Sequence, residues 1–143
     1  MLNKNLISFL KKNKKNISKS RIICIGDIIL DHYINGKVER MSPEAPVPIL
    51  MMESQKYEIG GAGNVARNIS NMGAKTTFIC LSGNDQSSII VKELLQKDKN
   101  IKSISINIPN FKTPIKTRFI NKEDHLLRVD NENIYFKLIN KYK

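Results

Sequence analysis

Apolar and polar positions alternate in blocks along the chain. Residues 21–25 form a continuous β-branched apolar run that ends in Gly26-Asp27. Such a run predicts a strand buried on both faces of a parallel sheet. Residues 32–57 carry Pro43, Pro46 and Pro48 and no helical period. They predict two strands of a separate small sheet, around residues 32–34 and 47–52, joined by the turn SPEAPVP. Val65, Ile69 and Met72 then fall at helical spacing, with Gly73 placed to end the helix. Residues 76–81 predict a second buried strand. Residues 87–97 predict a helix with Ile90, Val91, Leu94 and Leu95 inward, and residues 102–106 a third strand. Residues 117–120 and 126–130 predict a hairpin, and residues 134–139 the start of a further helix. Strand, helix, strand, helix, strand implies parallel pairing with right-handed crossovers, an α/β domain.

The first 20 residues differ in character. Leu2, Leu6, Phe9 and Leu10 share one helical face, and the first 21 residues hold seven Lys+Arg and no acid. This predicts a basic amphipathic helix over residues 1–20, packed on the domain that fills residues 21–143. The apolar stretch of residues 6–10 is shorter than a secretory core, and no small-residue cleavage site follows it. No apolar run approaches the roughly 18 residues of a membrane span. The expected setting is the cytoplasm, with no membrane partner.

Composition adds less than the charge of +11 suggests. The 143 residues allow one domain with a true core. The cations are 19 Lys and only five Arg, beside 16 Asn and 22 Ile, the mark of AT-rich coding and not of a nucleic-acid interface. Base readout and bidentate phosphate grip favour arginine, so no nucleic-acid partner is expected. Cys24 and Cys80 sit inside apolar runs without CxxC spacing, which predicts two buried thiols and neither zinc site nor disulfide.

Three groups could carry chemistry. The turn Gly60-Gly61-Ala62-Gly63-Asn64 before a helix allows close backbone approach and offers free N–H groups to an oxygen-rich ligand. It is neither a GxGxxG fingerprint nor a P-loop, and a purely structural turn fits it as well. Asp27 and Asp31 follow the first strand, where α/β folds place ligands; capping is the alternative role. Arg40, Lys116 and Arg118 could hold a phosphate, or stand as a solvated strand face. His32 and His125 have neither metal nor catalytic-triad spacing.

Together these pieces resemble the ribokinase-like (PfkB-type) carbohydrate kinases. GAGNVA at residues 61–66, with Gly73 and Gly83 following, is similar to that family's first signature. IGDIILDHYINGKVERMSPEAPVPIL, GGAGNVARNISNMGA and TPIKTRFINKEDHLLRVDNE resemble its heptose 7-phosphate kinase branch. The likeness runs over residues 6–132. It implies a ribokinase-like fold: a partial doubly wound parallel sheet with a small β-sheet lid, formed by residues 32–57 and 115–130. It implies phosphorylation of D-glycero-D-manno-heptose 7-phosphate at its anomeric hydroxyl, on the route to ADP-heptose and lipopolysaccharide core. Asp31, Gly60, Gly61, Asn64 and Asp130 would contact the sugar, and Arg40, Lys116 and Arg118 its phosphate. Gly63 stands where the branch suggests alanine, a change expected to matter little.

The resemblance also implies ATP and Mg²⁺ in the complete enzyme, and homodimerisation through lid strands or pairing with a missing C-terminal half. The family's Asp-Tyr-x-Lys-Gly segment and its Gly-Ala-Gly-Asp signature, with anion hole and catalytic base, are absent from this sequence. The chain is therefore expected to hold a sugar phosphate without useful kinase turnover of its own. The alternatives are a non-catalytic sugar-phosphate-binding or dimerisation module, or a portion of another PfkB-type sugar kinase.

Overall fold

The computed structural model describes residues 4–132. The elements run α1 (Lys4–Lys19), β1 (Arg21–Ile25), β2 (Ile28–Met41), β3 (Pro48–Gly60), α2 (Gly61–Asn71), β4 (Lys75–Ser82), α3 (Gln86–Gln96), β5 (Ile101–Asn107), β6 (Ile115–Asn121) and β7 (Asp124–Asn131). The helix expected over residues 134–139 lies outside the described residues, as do Leu2 and the side chains of Leu6 and Leu10. Phe9, expected to face inward from α1, is instead 62% exposed.

Two sheets result. β1, β4 and β5 form a parallel sheet in the order β1-β4-β5. β3, β2, β6 and β7 form a mixed sheet in that order, with β2 and β6 parallel and the outer pairs antiparallel. This is the α/β arrangement with a separate lid. The lid strands exceed the lengths read from sequence, because the polar positions of β2 and β3 pair with each other and need no core. Bulges follow Asn35 and Val38 on β2. At the first, a Cβ on Gly36 would collide with the Met51 carbonyl oxygen, so only glycine lets the strands close there.

The core lies where the lid joins the parallel sheet. Ile28, Leu30 and Ile59 from the lid base meet Ala66 of α2, Phe78 and Cys80 of β4, and Val91 and Leu95 of α3. Helices α2 and α3 sit on the Phe78 face of the sheet. The capping box of α3, in which Asp85 accepts from the Ser88 N–H at 2.8 Å and Ser88 Oγ accepts from the Asp85 N–H, fixes its start. Gly73, at φ +101°, ends α2 as expected.

β1 departs from expectation. It is an edge strand of the described sheet, and Ile23 and Ile25 are 68% and 73% exposed. Their register partners are Thr77 and Ile79 on β4. These side chains point away from α2 and α3, to a face that no described element covers.

Candidate sugar site

The chain crosses between the two sheets three times, and the crossings converge. It leaves the parallel sheet at Gly26-Asp27 and returns at Gly60–Ala62, where the Ala62 N–H donates to the Asp27 carbonyl at 2.9 Å. Gly61, at φ +59°, makes that return possible; a Cβ there would also meet the Asp27 carbonyl oxygen. The third crossing, between β5 and β6, is stapled to the loop after β4. The Thr113 N–H donates to Asp85 Oδ2 at 2.7 Å, and the Gly83 N–H donates to Thr113 Oγ1 at 2.9 Å. The Leu30 N–H donates to the Pro114 carbonyl at 2.8 Å, which starts the β2–β6 pairing.

Asp31 stands beside this junction. Its carboxylate lies against Gly60, so closely that a Cβ on residue 60 would overlap it. Gly60 is the N-cap of α2 and has no side chain to cap the helix. The Ala62 N–H is already given to the Asp27 carbonyl, and no side chain caps the remaining N–H groups of the first turn. Asn64 is exposed in that first turn, as is Gly61, whereas Gly60 is buried.

Register places a polar row on Asp31's side of the lid. Asp31 pairs with Lys116, and Tyr33 with Arg118; Lys116 pairs with Asp130, and Arg118 with Arg128. Opposed residues share a face, and the side chains do meet. Arg118 Nη1 donates to Asp31 Oδ1 at 2.5 Å, with side chains only 19% and 17% exposed. Lys116 Nζ is 3.5 Å from Asp130 Oδ2, and Arg128 Nε donates to Asp130 Oδ1 at 2.9 Å. The Arg118 guanidinium lies 5.2 Å from the centre of the Tyr33 ring and the Lys56 ammonium 4.9 Å from it, within reach of a cation–π contact.

The electrostatics follow from these partners. Partial burial opposes the charge on Arg118, but the Asp31 carboxylate outweighs it and raises the guanidinium pKa above its ordinary value. Desolvation pushes Asp130 upward, but Arg128 and Lys116 prevail and hold its carboxyl below the usual value.

The structure thus brings together Asp31, Gly60, Gly61 and Asn64 at the junction, with Lys116, Arg118 and Asp130 on the adjoining strands. It does not bring Arg40 to them. Arg40 is nine residues beyond Asp31 on β2, which is roughly 30 Å of strand, and it is exposed. Nor do Lys116 and Arg118 form an unpaired phosphate grip, since each already faces a carboxylate. Tyr33 and Arg128 went unread in the sequence; both lie two positions from a named aspartate, and period two along each strand was the available signal. Gly63 also corrects an expectation. A Cβ there would collide with Ile28 Cδ1 and Ile59 Cγ2, both in the core, so glycine is required by the present packing.

Among the described residues no three His, Cys, Asp or Glu side chains gather as metal ligands. No helix among them is long and apolar enough to cross a membrane.

Comparison with known proteins agrees with the fold. The family model for pfkB family carbohydrate kinases matches residues 19–138. The bifunctional protein HldE of Rhodospirillum rubrum is 39% identical over 119 residues, which are 83% of this chain and 24% of that protein. HldE of Rhodopseudomonas palustris is 40% identical over 113 residues, 78% of this chain and 23% of that one. The chain thus spans about a quarter of the length of these curated relatives. Among solved structures, a carbohydrate kinase from Agrobacterium tumefaciens superposes with TM-score 0.63 at 22% identity, over 78% of this chain and 35% of that one. Arabidopsis thaliana ribokinase, complexed with ribose and ATP, superposes with TM-score 0.58 at 14% identity, over 79% and 36%. At these identities the structural matches establish the fold.

Proposed function

Because the chain belongs to the pfkB family of carbohydrate kinases, we propose that it is the sugar-holding portion of a kinase acting on D-glycero-D-manno-heptose 7-phosphate. In the complete enzyme the anomeric hydroxyl would receive the phosphoryl group, with ATP and Mg²⁺ as phosphoryl source and metal. One observation carries the reading: Asp31 is held by Arg118 against Gly60, at the uncapped start of α2. A carboxylate so held accepts hydrogen bonds from sugar hydroxyls without first having to be ordered. The first-turn N–H groups not already given to Asp27 supply donors beside it. Asp130, kept charged by Arg128 and Lys116, offers a second acceptor on the same side of the lid.

The cations then have a different role from a direct phosphate clamp. Arg118 and Lys116 fix the two carboxylates, and Arg128 adds a positive charge at the rim. Arg40 takes no part in this site within one chain. Phosphoryl transfer needs electrostatic stabilisation of the moving group as well as a placed acceptor. The described residues serve the acceptor.

Calorimetric titration of the 143-residue chain with heptose 7-phosphate tests this reading. Binding is expected, weakened about tenfold or more by Asp31→Asn, since one charge-assisted hydrogen bond carries about 1.5–3 kcal/mol. Equal binding by the wild type and Asp31→Asn, or no binding by the wild type, overturns it. Heptose-dependent ADP formation is expected to be absent with this chain alone.

A further inference from the structure

Lysines on the lid strands meet carboxylates. Lys37 faces Glu53 at 2.6 Å, Lys56 faces Glu58 at 2.9 Å, and Lys116 faces Asp130 at 3.5 Å. At the starts of the three parallel strands the pattern is reversed. Arg21 opens β1 and pairs with Lys75, which opens β4. Lys102, the second residue of β5, pairs with Thr77. Residues two apart on a strand share a side, so Arg21, Lys75 and Lys102 project together from the side away from α2 and α3. With Lys99 and Asn100 they line one cleft of about 280 Å³, and no carboxylate is among its lining residues. A lysine-rich composition accounts for the number of cations, not for this placement.

The backbone around the cleft is tied down. The Lys75 N–H donates to the Ser20 carbonyl at 3.0 Å, and the Thr76 N–H to the Asn100 carbonyl at 2.8 Å. Asp98, beside Lys99 in the chain, is engaged elsewhere: it accepts from Ser70 Oγ at 2.6 Å and from the Asn100 N–H at 3.0 Å. Like charges directly opposed on adjacent strands cost stability, so Arg21 against Lys75 is a repulsion that a bound anion removes. Thr76, also in the cleft wall, keeps a buried hydroxyl with no hydrogen-bond partner among the described residues. Such an orphaned group marks a place that a bound ion or water completes.

We propose that this cleft binds a compact oligophosphate, of the size and charge of a diphosphate. Ligand sites commonly enclose about 300–1,000 Å³, and this one, at about 280 Å³, lies at the small end and favours a compact ion. Its cations come from three strands whose outer axes stand about 10 Å apart. One tetrahedral phosphate is too small to engage all of them together, whereas two linked phosphates reach further and carry more charge. Lysine ammonium groups serve phosphate as point charges, and Arg21 adds a two-pronged donor. The cleft is separate from the sugar site. β1 runs from Arg21 to Ile25, which puts roughly 16 Å of strand between the cleft and Gly26-Asp27. The two ligands therefore bind at opposite ends of the parallel sheet, and this inference does not rest on the function proposed above.

The test is calorimetric titration of the 143-residue chain with sodium pyrophosphate, at an ionic strength held constant with sodium chloride. One pyrophosphate per chain is expected, with orthophosphate, the second probe, binding about tenfold more weakly or worse. Lys75→Gln with Lys102→Gln should lower the pyrophosphate affinity about tenfold or more, the loss that a single charge-assisted hydrogen bond already accounts for. Lys37→Gln with Lys92→Gln removes the same charge away from the cleft and should leave the affinity within about twofold, since distant exposed charges are screened. All four positions are exposed, and circular dichroism verifies that both variants keep the fold. Absence of binding, an equal loss in both double variants, or equal affinity for pyrophosphate and orthophosphate overturns the proposal. Hydrogen exchange of the wild type supplies a readout independent of the variants: pyrophosphate should protect residues 99–102, and protection at the start of α2 instead assigns the ion to the sugar site and overturns it too. Heptose 7-phosphate titrated in saturating pyrophosphate separates the two readings. Undiminished sugar binding supports two sites, and competition between the ligands overturns the second one. Pyrophosphate binding without any sugar binding sinks the sugar site alone.

Discussion

Gly60→Ala isolates the contact on which the sugar site depends. Residue 60 has φ −108° and ψ −175°, a conformation open to alanine. The backbone therefore resists nothing, and apart from the small N-cap preference for glycine over alanine the effect comes from the added methyl group. That methyl group overlaps Asp31 Oδ2 and stands 3.1 Å from Asp31 Cγ. Asp31 must turn, and in turning it strains or breaks its bond to Arg118 at 2.5 Å. An off-rotamer carboxylate costs about 0.5–1.5 kcal/mol, and a lost charge-assisted hydrogen bond about 1.5–3 kcal/mol. The pair is still partly open to water, which lowers the second figure. A destabilisation of about 1–2 kcal/mol is expected, read as a fall in the urea midpoint at unchanged slope. The decisive comparison is the same substitution in an Asp31→Ala background. There the methyl group has nothing to displace, and the cost should shrink to within about 0.5 kcal/mol, the margin for uncoupled sites. An equal cost in both backgrounds would show that Gly60 is constrained by something other than Asp31, and the reasoning would fail.

Gly63→Ala sets a helix-propensity gain of about 1 kcal/mol against overpacking of about 1–3 kcal/mol at Ile28 and Ile59; thermal unfolding should show a net loss, and a more stable variant refutes the packing argument. Asp130 has a lowered pKa, so its contribution is complete above the unfolded carboxyl value of about 3.9 and is lost as pH falls through the lower folded value. Asp130→Asn should therefore flatten the stability profile below about pH 4 and nowhere above it, as acid titration of unfolding will show. Burial raises the Cys80 pKa, with a weaker opposing effect from Ser105. Its thiol should react with a disulfide reagent at pH 8 only through opening of the fold, and rapid labelling in native buffer would contradict its placement.

Much of the architecture was legible because single residues enforce it. Gly73 and Gly61 occupy positive φ where the chain must end or begin a helix, and the apolar period of α3 matches its buried Val91 and Leu95. What was not legible depended on register and on length. Nothing local tells that Lys116 will lie opposite both Asp31 and Asp130, since that requires β2, β6 and β7 to be aligned across distant stretches of chain. Arg40 shares a strand with Asp31, and sequence separation alone does not show that β2 continues through its bulges to Met41 and carries the arginine away. β1 marks the same limit in the other direction. Its unbroken apolar run predicts burial on both faces, and Ile23 and Ile25 do have the residue types for it. A pattern states which side chains favour an apolar environment, not whether a neighbouring layer supplies one. In β4 both sides are apolar, but only Phe78 and Cys80 meet helices within the described chain, while Leu81 does not. The mismatch between what these residues favour and what surrounds them is a physical property of the fold.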